Sequence, residues 1–124
     1  MIKEEYVSLN IAKLLKAKGF KEDCRCYYLD GYKFTHYHGE VIPKDKETYP
    51  APTQQVAMRW LREIHNITII VKPFWAEGDM RNKTRWTYEI ISLINNNNRY
   101  ATVGKDTYEE ACEAGIKYCL ENLI

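Results

Sequence analysis

Residues 53–71 read TQQVAMRWLREIHNITIIV, and the change of period inside that stretch decides the fold. Thr53 carries a side-chain oxygen that can accept a free backbone N–H as a helix N-cap. Behind it Val56, Ala57, Trp60, Leu61 and Ile64 recur at helical spacing and make one wide apolar face. The helix runs to about His65. Asn66 tolerates the left-handed backbone of a C-cap, and Ile67-Thr68-Ile69-Ile70-Val71 is a β-branched run typical of a buried strand. Pro73 cannot donate a ladder hydrogen bond, so the far end of this strand lies at a sheet edge or leaves the sheet.

Toward the N-terminus, Val7, Ile11, Leu14 and Leu15 share one helical stripe, which predicts a helix over about Glu5 to Lys18, ended by Gly19. Cys24 to Leu29 and Tyr32 to Tyr37 flank Asp30-Gly31, a favoured dipeptide of tight turns, and predict a β-hairpin. Three prolines and alternating charges between Gly39 and Pro52 predict a surface loop. Toward the C-terminus, Trp75 to Asn82 reads as a loop. A strand follows in which Trp86, Tyr88 and Ile90 oppose Arg85, Thr87 and Glu89. The run Asn95 to Asn98 is a turn, and Tyr100 to Val103 a short returning strand. Thr107 and Glu110 have the spacing of a capping box, and Tyr108, Cys112, Gly115, Ile116, Cys119 and Leu123 line one face of the helix it opens. Gly115 permits close approach there.

The expected fold is therefore α+β, in the order α-β-β-α-β-β-β-α, with three amphipathic helices on one face of a small, mainly antiparallel sheet. With 124 residues, a single domain can bury a core without staples. Eighteen Lys and Arg nearly balance seventeen Asp and Glu, so no long-range positive field gathers polyanions. The basic run Lys13, Lys16, Lys18, Lys21 and the acidic run Glu109, Glu110, Glu113, Glu121 read as solvated helix faces. MIKEEYVSLN has no apolar stretch of the kind export requires. A cytoplasmic protein with reduced cysteines is the expectation.

Cys24, Cys26, His36 and His38 are the one grouping with the donor set of a zinc site, and hairpin register decides its geometry. A two-residue turn places Cys26 opposite Thr35, whereas a three-residue loop pairs Cys26 with His36 and Cys24 with His38. The ligand spacing is shorter than a zinc knuckle uses, so the thiols are read as small apolar groups and no metal or other cofactor is assigned. Arg81, Lys83 and Arg85 recur at every second residue beside Trp86 and Tyr88, a pattern that can serve as a nucleic-acid surface. Trp86 has the opposite parity to Arg85, which favours a solvated strand face. The chain shows no phosphate loop and no nucleophile elbow. His65, at a helix C-terminus where partial negative charge favours the imidazolium, is the one candidate base. The chain is read as no enzyme.

Two segments, YPAPTQQVAMRWLREIHNI at 49–67 and TYEEACEAGIKYCLENLI at 107–124, resemble small uncharacterised proteins carried by phages and mobile elements of gut bacteria. The resemblance implies an accessory protein and no functional residues. Combined with an aromatic-rich strand, it suggests a non-catalytic module that binds a protein partner or associates with itself. Nucleic-acid binding through Arg81 to Arg85, or a zinc-binding domain, is the alternative.

Overall fold

A computed structural model describes residues 2–29, 33–36, 47–74, 84–92, 99–100 and 104–124. They run α1 (Leu9–Ala17), β1 (Cys26–Leu29), β2 (Lys33–His36), β3 (Thr48–Pro50), α2 (Gln54–His65), β4 (Ile67–Phe74), β5 (Arg85–Ser92), β6 (Arg99–Tyr100) and α3 (Tyr108–Asn122). This is an α+β fold in the expected order, with one strand more. The strands form two antiparallel sheets, ordered β2-β1-β3 and β4-β5-β6, where one sheet was expected.

A proline stands in an edge strand of each sheet. Ala51 donates its N–H to Cys26 O at 2.9 Å, so Pro50, one residue earlier, turns its donor-less nitrogen to the open side of β3. Trp86 exchanges both of its backbone bonds with Lys105, at 2.9 and 2.7 Å, so its β4 partner Pro73 likewise faces away from the ladder. Each sheet thus ends in a strand whose outer edge lacks a donor. The extra strand, β3, lies inside the stretch 39–52 that the prolines marked as loop; its pairing with β1 over Tyr27↔Pro50, Tyr28↔Tyr49 and Leu29↔Thr48 is a long-range event that local composition does not encode.

Helix α1 starts at Leu9 rather than Glu5. Residues before it are held extended, since Tyr6 bridges Thr53, Val7 N–H donates to Pro52 O and Gln54 N–H to Glu5 O. Ser8 then caps the helix by accepting from Ile11 N–H. Gly19 ends it with φ +92°, a left-handed conformation that suits glycine, and Phe20 folds back to set its ring edge-on to Trp60 at 5.4 Å.

Helix α3 is the hub, packing on α1, α2, β4 and β5. Ala111, Cys112, Ile116, Cys119 and Leu120 are buried along it, and one core joins the last four to Ile11, Leu15, Trp60, Leu61, Ile69 and Ile90. Thr107 Oγ1 accepts from Glu110 N–H at 3.1 Å. Thr107→Ala removes that cap and is expected to cost about 1 kcal/mol, read as a lower urea midpoint at unchanged m-value. Among the described residues no helix is long and apolar enough to cross a membrane.

Helix α2 has the predicted caps: Thr53 accepts from Val56 N–H at 3.2 Å, and Asn66 is left-handed at φ 57°. Its apolar face is narrower than the sequence suggests. Ala57, Met58, Trp60 and Leu61 are buried, whereas Val56 is 42% and Ile64 57% exposed. At roughly 100° per residue Val56 stands about 140° around the axis from Leu61, beyond the covered arc. Ile64 lies in angle between the buried Trp60 and Ala57, so its exposure comes from its place along the axis, in the last turn.

Candidate functional site

The hairpin adopts the register of a three-residue loop, with Leu29↔Lys33, Tyr28↔Phe34, Tyr27↔Thr35 and Cys26↔His36. The backbones of Cys26 and His36 are therefore opposite one another. The Cys26 side chain is fully buried and hydrogen-bonds the Tyr6 phenol, raising its pKa, so it points into the protein. Cys24 precedes the strand, half-buried, with its thiol on Glu22 O at 3.5 Å. His38 lies outside the described residues, as do the Asp30-Gly31 turn and Asn95 to Asn98. Among the described residues no group of three His, Cys, Asp or Glu can hold a metal ion.

The basic strand is accounted for in part. Arg81 and Lys83 lie outside the described residues. Arg85 places Nη1 2.8 Å from Asp106 Oδ1 and donates from Nη2 to Gly104 O at 2.9 Å, so its guanidinium ties β5 to the residues that lead into α3. The aromatic row does not form an outer patch. Trp86 packs edge-on against Tyr108 at 5.5 Å, Tyr88 lies beneath Gly115 and Ile90 is buried. Trp86 and Tyr88 face α3 because the parity that separates them from Arg85 sends them to the helix-covered side.

Three of the four thiols are not poised as nucleophiles. Burial pushes Cys24 and Cys112 up to about 11 and Cys119 up to about 12, which keeps each protonated near neutral pH. His65 reverses the electrostatic expectation. Its Nε2 is buried with no hydrogen-bond partner among the described residues, its ring lies 4.7 Å from that of Trp60, and burial lowers its pKa. Loss of hydration outweighs the helix-terminus charge, worth about 0.3–1 kcal/mol at an exposed site. Since the folded-state pKa falls below the unfolded value, the neutral ring's contribution is complete above the ordinary histidine pKa and is lost as pH falls from there through the folded value. Urea midpoints measured from pH 7.5 down to 5 should decline, and His65→Leu should flatten part of that decline.

Concavities among the described residues include one of about 190 Å³ beside Ile2 to Glu5 and two larger ones. The larger, about 730 Å³, lies between the N-terminal segment, the start of α2 and α3, and its walls include Glu5, Tyr28, Gln54, Glu109 and Glu113. Its central polar groups hold one another. Gln54 Nε2 donates to Glu109 O at 2.9 Å and to Glu113 Oε2 at 3.4 Å, Ser8 N–H donates to Glu113 Oε1, and Tyr28 Oη donates to Val7 O at 2.8 Å. This is a seam that fastens the N-terminal segment to α3.

The second of the two, about 330 Å³, runs beside α2 at the margin of its buried face and is lined by Glu22, Asp23, Val56, Arg59, Trp60, Glu63 and Ile64. Trp60 forms its floor, 6% exposed, with exposed Val56 and Ile64 one turn to either side. Arg59 Nε and Glu63 Oε1 form an exposed ion pair at 2.9 Å along the rim, of the kind that adds little to stability. The periodicity of α2 assigns Val56 and Ile64 to the core; the signals against it are that Val56 stands at the margin of the apolar arc and Ile64 in the last turn. Comparison of the chain with models of protein families, with curated proteins and with solved structures gives no match.

Proposed function

We propose that the chain is a non-catalytic interaction module, an accessory protein of a phage or mobile element working in the cytoplasm, and that it meets a protein partner through the groove beside α2. One observation carries this reading: two large aliphatic side chains, Val56 and Ile64, stand exposed to either side of Trp60 on a helix that already buries a full face. Solitary exposed aliphatics are ordinary, but two at i and i+8, flanking a groove floored by the buried Trp60 at i+4, have the spacing of a helix-face contact. The charged rim around an apolar floor resembles the organisation of protein interfaces. The raised thiol pKa values of Cys112 and Cys119 and the buried His65 Nε2, which has no hydrogen-bond partner among the described residues, support a role without catalysis.

The test is site-specific photocrosslinking in the native host, with the photoreactive residue placed in turn at Val56, Ile64 and, as a control, Lys117 on α3. Discrete adducts at 56 and 64 but not at 117 are expected. Equal labelling at all three, or none at 56 and 64, would overturn the reading.

A further inference from the structure

We infer that the groove on α2 is occupied by α2 of a second copy of this chain, packed antiparallel about a two-fold axis near Trp60; this deepens, and rests on, the reading of α2 as the interaction face. The surface has the symmetry such a contact needs. Val56 and Ile64 stand four residues before and four after Trp60, about 6 Å along the axis in opposite directions. A two-fold axis through Trp60 lays Val56 on Ile64 of the second copy and Ile64 on Val56.

The charges obey nearly the same axis. Arg59 and Glu63, paired at 2.9 Å within one helix, straddle position 61, so the rotation that matches the aliphatic residues also carries Arg59 toward Glu63 of the second copy. Two exposed intrahelical pairs then become one alternating network of four charges. The patch also holds both signs within itself, Glu22, Asp23 and Glu63 against Arg59. A purely cationic or purely anionic partner would meet like charge. A two-fold contact requires self-complementarity of this kind, residue i meeting j and j meeting i.

The experiment is sedimentation equilibrium of the purified full-length chain from low micromolar to several hundred micromolar. The expected result is a mass rising from one copy toward two. Ile64→Glu, at an exposed position that leaves the fold intact by circular dichroism, should weaken self-association roughly tenfold or more, as loss of a central interface contact does. Arg59→Glu and Glu63→Arg each place like charges across the axis and should each be monomeric, while a mixture of the two restores opposite charges at every crossing and should form a one-to-one dimer. A wild-type chain that stays monomeric throughout, a dimer unaffected by Ile64→Glu, or reversed variants that fail to associate when mixed would each overturn the second-copy assignment. Photocrosslinked adducts separate the two levels. An adduct at Ile64 with the mass of a different protein, from a chain monomeric in the centrifuge, retains α2 as the interaction face and removes the second copy; no adduct removes both.

Discussion

Gly115→Leu is expected to destabilise the protein by about 3 kcal/mol or more, a large share of the roughly 5–15 kcal/mol that holds a domain of ordinary stability. A Cβ built at Gly115 stands 3.0 Å from Ile69 Cγ2 and 3.3 Å from Tyr88 Cγ, so α3 already rests on β4 and β5 with no layer of side chain between them. Leucine adds three further carbons at a site with no exposed side, and the atoms that must yield belong to the buried Ile69 and to a ring held under the helix. Gly115→Ala is the informative control. Alanine gains up to about 1 kcal/mol in helix propensity, against which Ile69 has to retreat by a few tenths of an ångström in a close-packed core. The net change should be small beside that of leucine. Urea unfolding of the three proteins tests this ordering, and a Leu variant as stable as wild type would mean that α3 can lift off the sheet without loss.

The same glycine shows where local reading stops. Its need for close approach is visible from its place among Cys112, Ile116 and Cys119 at helical spacing, but the residues approached lie on strands distant in sequence. Caps were legible for the same reason that they are local: Thr53, Asn66 and Thr107 act on backbone groups within a few residues, and all three stand where their side chains predict. Pairing was less legible. Nothing near Tyr49 announces that it will lie beside Tyr28, and the donor-less edges at Pro50 and Pro73 mark where sheets end without saying how many sheets there are. For the candidate site the difficulty was different. Val56 and Ile64 are apolar and helically spaced, the pattern of core residues, and whether a helix has one apolar face or two depends on what the rest of the chain lays against it.

That distinction yields the second large effect, a contrast between neighbours on one helix. Leu61→Ala should cost about 2–5 kcal/mol, because Leu61 is fully buried and truncation removes both its transfer energy and the packing around the resulting cavity. Ile64→Ala, three residues on, removes a similar number of carbons but from a side chain already 57% exposed. It should stay within about 0.5 kcal/mol of wild type when unfolding is measured at a concentration where the chain is monomeric. At higher concentration the second variant should separate from wild type, since any stability gained through association scales with chain concentration and is lost with the contact. Leu61→Ala should lower stability equally at both concentrations. If Ile64→Ala proved as damaging as Leu61→Ala in the monomer, Ile64 would be held by the fold as Leu61 is, and the groove beside α2 would keep only Val56 as an aliphatic group to offer a partner.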